Sequence, residues 1–156
     1  MRTQIYDHRN GVKVVPQDIV SAVENVVWSI NPSLSKNSVT IIKDSIRERL
    51  EKEGWSGEYR LDAMSRITIS SYLQGIGLCF QTGNVGRIYA DLLKLQTLYT
   101  KGNIAAGIIL VPQIRTAKEL GYNMANYERL IRELPIFSQV ITMPIVVIGF
   151  DGTEAA

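Results

Sequence analysis

Ala105-Ala-Gly-Ile-Ile-Leu-Val-Pro112 runs for eight residues without a charged or polar side chain. Its apolar residues do not alternate with polar ones, which is the signature of a strand covered on both faces. A second run of the same kind, Met143-Pro-Ile-Val-Val-Ile-Gly149, follows further along the chain, separated from the first by helical patterns. Strands of this type lie centrally in a sheet, with helices packed above and below. The two runs therefore set the fold class as α/β: a mixed sheet flanked by helices in three α/β/α layers.

Between the runs, helical spacing covers Gln113 to Leu120, breaks at Gly121-Tyr-Asn123, and resumes from Ala125 to Leu134. Upstream of the first run, Val85, Ile88, Tyr89, Leu92, Leu93, Leu95 and Leu98 give a third helix a wide apolar surface, which predicts central burial before Lys101-Gly102 ends it. The segment from Glu58 to Gln81 is rich in β-branched and aromatic residues around a Gln74-Gly75 turn, so it predicts two or three antiparallel strands. Further toward the start, Val39, Ile42, Ile46 and Leu50 make one stripe on a charged helix. Ile19, Val23, Val26 and Ile30 make another on a helix from Gln17, stopped at Asn31-Pro32. Met1 to Tyr6 reads as a short strand, with a turn at Asn10-Gly11. The organisation is one domain over 1–150, with 151–156 a flexible tail.

At 156 residues and 46% hydrophobic content the chain has material for one core. Seventeen basic residues against fifteen acidic ones leave +2, a balance that permits nucleic acid without announcing it. Cys79 is the only cysteine, so no internal disulfide forms, and charges at Arg2, Asp7, Arg9 and Lys13 interrupt any signal-peptide core. A reducing cytoplasm fits these features. No stretch approaches the roughly 18 uncharged apolar residues of a membrane span.

Several short motifs recur in a telling order: Gln81-Thr-Gly83-Asn84, a helix carrying Asp91 and Lys94 and reaching Tyr99, Gly107 to Pro112, Tyr127-Glu128, and Pro144-Ile-Val-Val-Ile-Gly149. Tyr6-Asp-His8-Arg-Asn10-Gly11 and Leu50-Glu-Lys-Glu-Gly54-Trp55 add to them. Together they cover nearly the whole chain and resemble the BglII/BstYI branch of type II restriction endonucleases. The resemblance implies the PD-(D/E)xK nuclease fold and magnesium-dependent hydrolysis of double-stranded DNA. It also implies a homodimer on a palindromic site, within a restriction–modification system.

Hydrolysis of that kind needs carboxylate ligands for a hard divalent cation. The family places its first acid nine residues before the Glu of a Glu-x-Gln strand; the same positions here are Ser70 and Cys79, and Gln81 alone matches. A thiol is a poor magnesium ligand and a serine hydroxyl carries no charge, so the inherited site is severely weakened. Asp62, seventeen residues before Cys79, stands at a separation that BamHI-like relatives use, which makes it the candidate catalytic and metal-binding acid beside Gln81. Glu58, Asp44 and Glu48 are further acids within reach, and each also reads as an ordinary solvated residue.

Cys79 as a nucleophile needs a base, and the only histidine, His8, is remote in sequence; burial of a small apolar side chain is the competing reading. Gln81 either orients a water or phosphate or satisfies backbone groups at a strand end. Gly83-Asn84 either presents N–H groups to a phosphate or caps a helix. Asp91 and Lys94 pair across one turn. Lys43, Arg47, Arg49, Lys52 and Arg60 are candidate phosphate contacts interleaved with acids, as on a solvated helix face. Two functions follow: a metal-dependent DNA endonuclease, or a catalytically inactive nuclease-fold protein that binds DNA or a protein partner. An unrelated α/β domain is the third reading.

Overall fold

The computed structural model describes residues 1–154. β1 (Arg2–His8) leads through a single-turn α1 (Gly11–Val14) into α2 (Gln17–Trp28) and α3 (Ser38–Lys52). The strand cluster resolves into β2 (Tyr59–Arg60), β3 (Thr68–Ile69), β4 (Ser71–Leu73) and β5 (Ile76–Phe80). After it come α4 (Arg87–Thr100), β6 (Ala106–Pro112), α5 (Ile114–Leu120), α6 (Tyr127–Glu133), a 3-10 turn at Leu134–Phe137, and β7 (Ile145–Asp151).

The main sheet has the order β1-β7-β6-β5-β4. β5, β6 and β7 run parallel, as strands joined by helical crossovers must, and β1 and β4 close the edges antiparallel. β2 and β3 form a separate two-stranded ribbon. All seven residues of β6 and of β7 are buried, which is why their sequence is apolar throughout.

Alternation along these strands divides the core in two. Ile108, Leu110, Val146 and Ile148 pack with α2 and α3, whereas Ile109, Val111, Ile145 and Val147 pack with α4 and α6. Of the α3 stripe, Ile42, Ile46 and Leu50 are buried, each stabilising the fold by about 1.5–3 kcal/mol, whereas Val39 in the first turn is half-buried. This is the three-layer arrangement read from the sequence.

Two close features fix the sheet edges. Gln74 and Gly75 take φ of 48° and 80°, the positive pair that a two-residue hairpin turn demands, and so join β4 to β5. At the opposite edge, a Cβ on Gly11 would stand 2.2 Å from the Ile145 carbonyl oxygen, so only glycine lets α1 pass over β7. The turn foreseen at Asn10-Gly11 is present and runs directly into α1.

Some expectations are corrected. Leu93, assigned to the inward face of α4, is 60% exposed, because α4 covers the sheet with Ile88, Leu92, Leu95 and Leu98 alone. The tail expected from Asp151 begins inside β7: Asp151 is buried, accepts from the Thr116 hydroxyl at 2.8 Å, and pairs with Arg2 at 2.7 Å. The Arg115 side chain also donates to the Glu154 carbonyl, and residues 155 and 156 lie outside the described residues.

Candidate functional site

A cleft of about 540 Å³ opens between α3 and α4, with β3, β4 and the end of β5 as its floor. Its position follows from strand direction: open α/β sheets carry their sites beyond the carboxyl ends of parallel strands. Stacking of Tyr59 on Tyr72, with ring centroids 4.8 Å apart, holds the β2–β3 ribbon against β4 on one side of it. The Ser71 hydroxyl donates to the Ser56 carbonyl at 2.5 Å, and Ser56 in turn accepts from the Tyr72 N–H at 2.9 Å.

Gln81 continues the β5 ladder, its N–H donating to the Leu110 carbonyl at 2.9 Å. The two-residue period therefore points it, like Cys79, toward α4. There its amide is used at both ends: Nε2 donates to Asp91 Oδ2 at 2.5 Å, and Oε1 accepts from the Gly83 N–H at 2.7 Å. Asp91 is buried, with the Lys94 ammonium 3.8 Å from its other oxygen. Burial holds the Asp91 carboxyl above the ordinary carboxylate value, while the Gln81 bond and the Lys94 and Arg87 charges pull against it.

Ser70 lines the cleft, and its hydroxyl accepts from the Phe80 N–H at 2.9 Å. Cys79 is 2% exposed, and burial, followed by the Asp91 charge, pushes its thiol well above the ordinary range, which disfavours the thiolate there. His8 is two strands further across the sheet than β6, buried, with its Nε2 2.8 Å from the Ile141 carbonyl. Cys79 and His8 do not meet.

The acids do not converge. Asp62 sits in the β2–β3 connection, outside the cleft, where its carboxylate accepts from the Met64 N–H at 2.9 Å and faces Lys101 at 4.0 Å. Asp44 pairs with Arg47 and Glu48 with Lys52, both on exposed turns of α3. Glu58 does line the cleft. Among the described residues no group of three His, Cys, Asp or Glu side chains is placed to hold a metal ion. Magnesium takes about six oxygens at 2.0–2.1 Å, and this donor set does not fit it.

The cleft is instead rich in cations: Lys43, Arg47, Arg87 and Lys94 line it, against the carboxylates of Glu58 and Asp91. Of the basic residues singled out on α3, the structure sends Lys43 and Arg47 into the cleft. Arg49 turns to the Ser29 hydroxyl instead, and Lys52 to Glu48. Sequence reasoning missed Arg87. The signal was present, since 87, 91 and 94 recur at the spacing of one helix face. Gly83-Asn84 does not cap α4: the Asn84 side chain accepts from the Gly86 N–H, and the helix begins at Arg87 with no side-chain cap.

Comparison with known proteins adds the family. The model described as restriction endonuclease BamHI matches residues 2–156. The type II restriction enzyme BamHI of Bacillus amyloliquefaciens is 29% identical over 92 residues, which cover 59% of this chain and 42% of that protein. The match thus spans less than half the length of this curated relative. Restriction endonuclease BglII complexed with a DNA 16-mer has a similar structure, with a TM-score of 0.87 at 12% identity, covering 99% of this chain and 81% of that one. Free BglII gives 0.80 at 11% identity over 100% and 82%. At such identities the likeness concerns the fold alone.

Proposed function

Because the chain belongs to the BamHI restriction endonuclease family, we propose that it binds double-stranded DNA in the cleft between α3 and α4, with the family's magnesium-dependent hydrolysis lost or strongly weakened. The observation that carries the reading is the lining of the cleft. Lys43, Arg47, Arg87 and Lys94 face Glu58 and Asp91 there, at the point where Ser70 and Cys79 replace the expected acids. Phosphate neutralisation by such side chains supplies affinity without reading bases.

A second reading, hydrolysis with Asp62 as a displaced acid beside Gln81, draws on the family relation and on Glu58 in the cleft. It requires the Asp62 carboxylate to leave Lys101 and the Met64 N–H. A plasmid cleavage assay with magnesium, manganese or chelator, run beside Asp62→Ala and a gel shift, decides between them. Shifted but intact DNA in every buffer supports binding alone. Discrete chelator-sensitive fragments that vanish in Asp62→Ala establish the nuclease.

The proposal includes a homodimer, which would match a palindromic site with its own symmetry. Its support is an apolar surface where α4 meets the segment after α6. Leu93, Ile136 and Val140 are exposed there, and Tyr89 meets Phe137 edge to face at 5.9 Å. Light scattering on Leu93→Lys should report a monomer where the unaltered chain reports a dimer. Among the described residues no helix is long and apolar enough to cross a membrane. A cytoplasmic location in a restriction–modification system completes the reading.

A further inference from the structure

We infer that the Lys94 ammonium takes the place of a divalent cation beside Asp91, so that the cleft meets the DNA backbone with its own charges and holds no metal ion. This rests on the DNA-binding reading and concerns what that binding requires. The argument is an inventory of oxygens. Asp91 Oδ2 accepts from Gln81 Nε2 at 2.5 Å, and Oδ1 faces Lys94 Nζ at 3.8 Å. The Gln81 amide oxygen accepts from the Gly83 N–H, and the Ser70 hydroxyl accepts from the Phe80 N–H. Glu58 is left as the remaining carboxylate of the lining, and it is exposed to water.

Distance makes the conflict sharper. A magnesium ion at about 2.1 Å from Asp91 Oδ1 would lie no more than about 6 Å from the Lys94 ammonium, with a double positive charge against a single one. The cleft also holds uncommitted cations: neither Lys43 nor Arg87 has a carboxylate within 4.0 Å among the described residues. With Asp44 counted as the partner of Arg47, four cations against three carboxylates still leave a surplus of positive charge, which favours a phosphodiester over a metal ion.

The test compares a fluorescent duplex titrated with protein in chelator and in magnesium at matched ionic strength, alongside manganese titrated into the DNA-free protein and followed by its electron paramagnetic resonance. Unaltered protein should bind DNA equally in both buffers, within about a factor of two, and should take up no manganese. Lys94→Gln uncovers Asp91, so its DNA affinity should fall in chelator by about tenfold, recover in part with magnesium, and be accompanied by manganese uptake. Arg87→Gln, at an exposed position, should weaken binding alike in both buffers; thermal melts check that each variant is folded. A requirement for magnesium in the unaltered protein, or manganese bound to it, overturns the inference while leaving DNA binding intact. Absence of DNA binding in every buffer overturns both.

Discussion

Asp91 and Asp151 each expose 6% of their surface, but Asp91 lies deeper beneath the protein surface, and their carboxyls move in opposite directions. Burial works to raise both. At Asp151 the Thr153 hydroxyl and N–H, the Thr116 hydroxyl and the Arg2 guanidinium overcome it and hold the carboxyl below the ordinary value of 3.8. At the deeper Asp91 the Gln81 amide and the Lys94 and Arg87 charges do not suffice, and the carboxyl stays above it. A carboxylate surrounded by donors ties structure together. One short of donors, beside a cleft, keeps part of its interaction capacity in reserve.

The largest expected effect is on stability at the tied site. Asp151→Ala leaves the Thr116 hydroxyl buried without its acceptor and should cost about 3 kcal/mol in chemical denaturation, with half-exposed Arg2 contributing little of that. Asp91→Asn should stay within about 1 kcal/mol of the unaltered chain at neutral pH, since it removes a charge that burial disfavours. Equal losses in the two variants would break the comparison.

Acidity separates the two further. The Asp151 contribution is full above its unfolded value near 3.8 and disappears as pH falls through the lower folded value. The Asp91 contribution has the opposite sign: it is full below 3.8 and lost as pH rises through the raised folded value. Melting curves from pH 2 to 7 should therefore show a shallower acid limb in Asp151→Asn, and in Asp91→Asn a stability relative to the unaltered chain that climbs above about pH 4. The smallest effect belongs to the cleft rim. Lys43→Gln and Arg87→Gln should each reduce the log–log salt slope of DNA binding by about 1 without changing stability measurably.

What was legible in the sequence is what burial writes there. β6 and β7 announce themselves because both faces are covered, and the stripes of α2 and α3 do so because one face is. The Asp91–Lys94 pair was legible for a similar reason, since helical spacing converts directly into distance. Loop positions carry no such rule. Asp62 had the separation of a metal ligand, but a count of residues does not tell which way a hairpin connection folds, and Lys101 and the Met64 N–H hold that carboxylate outside the cleft. Leu93 was misplaced because an apolar residue at helical spacing looks the same whether it meets the sheet or faces outward. Arg87 escaped because a single charge in the first turn of a helix has many ordinary uses.

The register of β1 on β7, Arg2 opposite Asp151 and His8 opposite Ile145, has a bearing on how the protein is made. A ribosome adds about 5–20 residues per second, so β1 waits on the order of ten seconds or more for the strand it pairs with. During that interval β5, α4 and β6 can assemble as neighbours in sequence, but α1 has no β7 to lie across, and the edge that β1 will cover does not yet exist. Closure of this edge of the sheet therefore waits until β7 has been made, and until then the surface that β1 and α1 cover in the folded protein stays open.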